Sequence, residues 1–148
     1  MLNRVIINTT EDTSGSIRND EEDTLMKFYI CKHCGNLVAM INDAGVNPVC
    51  CGEKMHLLQP NTVEASGEKH VPVVKNENGV LSVNVGAVDH PMAEEHHIGW
   101  VYVETEKGGM LRYLTPGSDP HVDFVLGQEK PVAVYAWCNL HGLWKTAI

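Results

Sequence analysis

With 148 residues, 43% of them hydrophobic, the chain can build one real core, or a small stapled module beside a domain of roughly 90–100 residues. Its net charge of -8, with no Lys- or Arg-rich stretch, argues against nucleic acid and anionic membrane surfaces as partners; a small anionic ligand would need a local positive feature. No apolar run is long enough to span a bilayer and Val5-Ile6-Ile7 is too short for a signal peptide, so the expected location is the cytoplasm, where the five cysteines read as metal ligands or reactive thiols and not as a disulfide framework.

Residues 1–25 are polar, carry the acidic cluster Glu21-Glu22-Asp23, and are expected to form a flexible N-terminal extension. Residues 26–58 read as one compact unit. Phe28-Tyr29-Ile30 predicts a strand entering Cys31-Lys32-His33-Cys34-Gly35, and residues 37–41 predict a second. Asp43-Ala44-Gly45 turns the chain, and Pro48-Val49-Cys50-Cys51-Gly52 brings it back. About thirty residues bury too little apolar surface to fold alone, so a metal must supply part of the stability.

Gln59-Pro60-Asn61-Thr62 reads as a linker into a second unit, residues 59–148, where the pattern turns to β. Residues 71–74 and 80–85 flank Asn76-Glu77-Asn78-Gly79, a hairpin signal. Residues 98–103 and 110–114 flank Lys107-Gly108-Gly109, and residues 121–126 and 132–137 flank Gly127-Gln128-Glu129-Lys130-Pro131. Short strands at this spacing predict an antiparallel sandwich, with no long helix and no repeat.

Two groups of residues carry chemistry. Cys31 and Cys34 are followed, after fifteen residues, by the adjacent pair Cys50-Cys51. Four thiolates suit tetrahedral iron or zinc, and spacing alone does not choose between them. Neighbouring residues in a strand point apart, so Cys50 and Cys51 can share an ion only where the backbone kinks, which predicts a distorted tetrahedron. His33 and His56 are expected at the surface.

The second group is His70, His90, His96, His97, His121, Cys138 and His141. Cys138-Asn139-Leu140-His141 has the spacing of a chelate, and His90-Pro91-Met92 stiffens a loop that ends at His96. His96 and His97 face opposite ways on a strand, and alternation does not choose between them, because both faces downstream are apolar. Imidazoles with one thiolate suit iron better than magnesium or calcium. Four neutral imidazoles and one thiolate would leave a cationic ion with a sixth octahedral position open to a small anion.

These residues resemble a known family. Residues 27–55, with CxxCG and CCGEKM, resemble the desulforedoxin-like module of desulfoferrodoxins. Glu68-Lys69-His70-Val71-Pro72, His90-Pro91-Met92 with His96, and Cys138-Asn139-Leu140-His141-Gly142 resemble the neelaredoxin-like superoxide reductase domain, in the family's order. The resemblance implies an all-β chain, a small rubredoxin-like metal module followed by an immunoglobulin-like sandwich. It implies two irons per chain. One is held by Cys31, Cys34, Cys50 and Cys51, where zinc is also possible. The other is held by His70, His90, His96 and His141 with Cys138 axial. It implies Glu68 as the sixth ligand of the resting ferric ion, Lys69 as the positive group beside the open position, a homodimer, and a rubredoxin-like electron donor. The implied activity is one-electron reduction of superoxide to hydrogen peroxide at the non-haem iron. The competing readings are a two-iron electron carrier without turnover and a zinc-stapled binding module.

Overall fold

The computed structural model describes residues 26–148; the extension 1–25, with Val5-Ile6-Ile7 and the acidic cluster, lies outside the described residues. The first unit is built from β1 (Lys27–Ile30), β2 (Leu37–Met40), β3 (Val49–Cys50), β4 (Glu53–Lys54) and β5 (His56–Leu57). β1 lies between β2 and β5, and β3 pairs with β4 in a two-residue ladder. Its own core is small: Tyr29, Cys31 and Met55, with Val38, Met40 and Cys50 beside them.

That core is supplemented from outside. Phe28, 3% exposed, packs its ring 5.1 Å from Trp100, 5.1 Å from Tyr135 and 5.7 Å from Tyr102 of the second unit. Met26 N–H donates to Glu104 Oε1 (3.0 Å), and Tyr135 O–H donates to the other oxygen of that buried carboxylate (3.0 Å). Apolar burial and the Met26–Glu104 hydrogen bond thus add to what a metal would contribute. Residues 59–62, read as a linker, are pinned as well. Asn61 N–H donates to Leu143 O, and its side chain pairs with both backbone groups of Lys145.

The second unit follows as α1 (Gly67–His70), β6 (Pro72–Glu77), β7 (Val80–Val85), β8 (Ile98–Thr105), β9 (Gly108–Tyr113), β10 (His121–Val125), β11 (Pro131–Cys138) and β12 (Gly142–Ala147). The three-stranded sheet β10-β7-β6 faces the four-stranded sheet β12-β11-β8-β9, all antiparallel. Seven strands in two sheets is the strand count of an immunoglobulin-type sandwich. The period of two decides which side chains go inside. Leu81, Val83 and Val85 of β7 alternate with half-buried residues, Val122 and Phe124 of β10 alternate with exposed ones, and all meet Val101, Val103, Val134, Ala136 and Trp144 from the other sheet.

The hairpin read over residues 76–79 is tighter than expected. β6 runs to Glu77, leaving only Asn78 and Gly79 in the turn, both at positive φ (52° and 76°). That is the primed two-residue turn for which Asn-Gly is suited. Among the described residues, no helix is long and apolar enough to cross a membrane.

Candidate metal centres

The four-cysteine group sits at the tip of the first unit. Cys31 directly follows β1 and Cys34 lies three residues on, in a turn closed by Gly35 N–H to Cys31 O (2.9 Å). Cys50 closes β3. Cys51 and Gly52 then take positive φ (52° and 80°), which is the kink that lets adjacent cysteines face one point. All four Sγ atoms lie within 4.8 Å of one another, with Cys34 and Cys50 at 3.6 Å. The metal-free thiols ionise unequally. The backbone N–H of Cys34 pulls Cys31 down to about 6, whereas contacts with the Cys34 and Cys31 sulfurs push Cys51 up to about 12 and Cys50 upward. Four thiolates cannot gather here without a cation, so metal binding must expel protons. His33 and His56 are exposed and stand outside the group.

The second group forms at one end of the sandwich. His70 ends α1, His90 follows β7, Cys138 ends β11, and His141 occupies the turn before β12. One donor atom from each of His70, His90, His96 and Cys138 lies within 4.8 Å of the others. His141 joins them through Nδ1, which is 2.9 Å from His70 Nε2 and 3.7 Å from Cys138 Sγ. His70 is 3% and His90 2% exposed.

Backbone carbonyls fix the tautomers. His70 Nδ1–H donates to Ser66 O (2.7 Å) and His90 Nδ1–H to Pro91 O (2.6 Å), so each ring turns an Nε2 lone pair inward. The Trp144 indole stacks on His70 at 4.7 Å and holds its plane. Burial lowers the pKa of His70, His90 and His96, with His90 falling to about 4, so these imidazoles are neutral at pH 7 and free to ligate. Burial also raises the Cys138 thiol, while the backbone N–H groups of His141 and Leu140 oppose that by donating to its sulfur.

A metal ion fits this arrangement. Among the described residues, three buried polar side-chain atoms lack a hydrogen-bond partner: His90 Nε2, His96 Nε2 and Trp144 Nε1. The two imidazole nitrogens belong to the cluster. An unsatisfied buried acceptor is costly, and a cation at the common point would satisfy both at once. Four nitrogens and one sulfur make a donor set suited to iron.

The remaining candidates fall into place around it. His97 turns Nδ1 toward Ala93 O (3.2 Å) and stands outside the group. His121 is exposed on β10 and pairs with Asp123 (3.1 Å). Glu68 and Lys69 are exposed on α1, immediately before His70, and Ser66 O–H donates to Glu68 Oε1 (3.1 Å). Gly86 seats that segment. A Cβ there would lie 2.3 Å from Glu68 O and 2.6 Å from Lys69 C, and Val88 N–H donates to Glu68 O (3.0 Å). The roles of Gly86, Ser66, Trp144 and the Pro91 carbonyl escaped the sequence reading, because they act through backbone or packing and leave no ligand-type signature.

The chain matches the family model described as Desulfoferrodoxin over residues 62–147, and that described as Desulfoferrodoxin, N-terminal domain, over residues 24–58. The chain belongs to the desulfoferrodoxin family. The desulfoferrodoxin of Syntrophotalea carbinolica is 41% identical over 121 residues, covering 82% of this chain and 95% of that one. The desulfoferrodoxin of Nitratidesulfovibrio vulgaris is 40% identical over 119 residues, covering 80% and 94%. The crystal structure of the superoxide reductase from Treponema pallidum superposes with a TM-score of 0.70 at 36% identity, covering 82% of this chain and 98% of that one. Both donor clusters lie inside the segments matched by the desulfoferrodoxin models.

Proposed function

We propose that this desulfoferrodoxin is a superoxide reductase with two irons per chain, one at the four cysteines and one at the His/Cys cluster. The observation that carries the reading is the convergence of five donors, including two buried imidazole nitrogens with no other partner, on one point of the fold. The net reaction is superoxide plus one electron and two protons giving hydrogen peroxide. Iron held by His70, His90, His96, His141 and Cys138 would supply the one-electron redox chemistry.

The protein's own residues set the conditions. His70, His90, His96 and His141 bind as neutral imidazoles, and Cys138 brings the only anionic ligand. The site therefore keeps a net positive charge that favours an anion in an acidic protein. Lys69 draws superoxide to the cluster through its Nζ charge, and Glu68 would close the cluster in the oxidised resting protein. Exposure of both side chains supports this, since each can reach solvent and swing. Solvent supplies the protons.

Residues 26–58 form the electron-storing module and residues 59–148 the reductase domain, fed by a rubredoxin-like carrier in the cytoplasm, where five free thiols stay reduced. The assembly we propose is a homodimer.

Pulse radiolysis of the reduced protein tests the division of roles. Lys69→Ala slows the second-order reaction with superoxide and weakens its salt dependence. Glu68→Ala spares that step and changes the resting ferric spectrum and its pH dependence. Equal slowing in both variants overturns the assignment.

A further inference from the structure

His70, Cys138 and His141 of the His/Cys cluster stand on or next to regular elements, whereas His90 and His96 lie in the irregular stretch between β7 and β8. His96 lies on the segment between His90 and β8. The start of that segment is tied down through Met92, whose carbonyl accepts from Gly117 N–H (2.7 Å) and whose sulfur accepts from Ile98 N–H (3.4 Å). Its middle is a local turn, in which Ala93 and His96 exchange backbone hydrogen bonds (3.0 and 3.1 Å). Those bonds shape the turn, but they do not fix where it sits relative to Cys138.

Asn139 ties it there, through side chain and backbone. Asn139 Nδ2 donates to Glu95 O (3.0 Å) and Asn139 Oδ1 accepts from His97 N–H (2.9 Å), so a single carboxamide bridges the two residues flanking His96. Asn139 N–H also donates to His97 O (3.1 Å). This carries the β8–β11 ladder past a bulge at which Trp137 pairs with Trp100 while Cys138 pairs with Ile98, leaving Gly99 unpaired. Bulges beside a site re-aim side chains, and here the ladder needs a lock beyond the bulge. Asn139 is bonded covalently to Cys138 and lies two residues before His141, so whatever it grips is held in register with both.

We infer that Asn139 is a positioning residue that clamps the His96 loop to the Cys138–His141 turn, setting where His96 Nε2 stands relative to the Cys138 sulfur. Only a side chain with a donor and an acceptor on one planar group can take both backbone groups of this bracket. Asp keeps the acceptor and loses the donor; Ala loses both. The inference rests on the superoxide reductase reading of this centre.

The test uses full-length, iron-loaded protein as wild type, Asn139→Ala and Asn139→Asp. Iron release to a chelator is followed at both centres, together with the thiolate-to-iron absorption of each. Loss of a group that orients a ligand typically costs ten- to a hundred-fold in metal affinity. The expected result for Asn139→Ala is therefore roughly ten-fold or greater acceleration of iron loss from the His/Cys centre and a shifted Cys138-to-iron band. The four-cysteine centre, an internal reference in the same molecule, keeps its release rate and spectrum. Asn139→Asp, nearly isosteric, falls between wild type and Ala and provides a folded variant should Ala disturb folding. The inference is overturned if both variants release iron from the His/Cys centre at the wild-type rate with an unmoved band, even where the melting temperature falls, since that pattern marks a merely structural hydrogen bond. Wild-type protein lacking a His/Cys iron with a thiolate band would instead overturn the reading on which the inference rests.

Discussion

Acid should weaken the metal-free protein in a window set by its buried histidines. His90 is 2% exposed, its Nε2 has no partner, and its ring stands 4.6 Å from both His70 and His96. Burial, reinforced by those neighbouring imidazoles, lowers its pKa from 6.5 to about 4. Between those values the unfolded chain binds a proton that the folded chain refuses. Stability therefore falls as pH drops from about 6.5 toward 4 and levels off below. A shift of that size corresponds to roughly 3 kcal/mol for one group. His70 and His96 shift the same way and add to it. The depressed carboxyls of Asp43 and Asp123 act in a separate window, since their contribution is lost only as pH falls below the ordinary value of 3.8. The assay is urea unfolding of metal-free protein in steps from pH 7.5 to 4, beside His90→Gln, which should flatten the slope. A midpoint that stays constant or rises as pH falls through this window refutes the reasoning. In the iron-loaded protein the same protons compete for the same lone pairs, so acid also promotes iron loss.

Three further outcomes are expected. Cys50→Ser removes the four-cysteine iron and leaves the His/Cys iron in place, so metal analysis falls from two irons to one and the pre-reduced variant still consumes superoxide; loss of both irons, at unchanged mass in solution, counts against separable sites. Cys138→Ser abolishes the His/Cys thiolate band and most of the activity, whereas His97→Ala stays within a few-fold of wild type because its ring faces Ala93 O; iron loss in His97→Ala but not in His96→Ala would mean the ligand register is off by one. Phe28→Ala, which empties a site walled by three aromatic rings, lowers unfolding stability by about 3–5 kcal/mol in denaturant titrations; a loss below about 1 kcal/mol would show that the first unit does not depend on this docking.

Much of the architecture was legible locally. The period of two in Val80–Val85 and His121–Val125 shows which face is buried, and Asn78-Gly79 marks its hairpin. The kink expected at Cys50-Cys51 is present as positive φ at Cys51 and Gly52. β12 was not anticipated, because Leu143 and Trp144 are adjacent buried residues and break the alternation a strand normally advertises. α1 is four residues long, too short for a helical period to show. The choice between His96 and His97 was undecidable from pattern, since Trp100, Tyr102 and Val101, Val103 make both faces of β8 apolar. In the tertiary structure His96 stands with His70, His90 and Cys138, while His97 turns toward Ala93 O. The sequence by itself determined which residue types were available to bind metal and which short strands would carry them. Only the fold decided that His70 and His141, 71 positions apart, meet at 2.9 Å, and that Phe28 of the first unit is buried against the second. The reason is physical: side-chain alternation is set within a few residues, whereas the meeting of distant donors depends on strand register and on packing between sheets, which no local window contains.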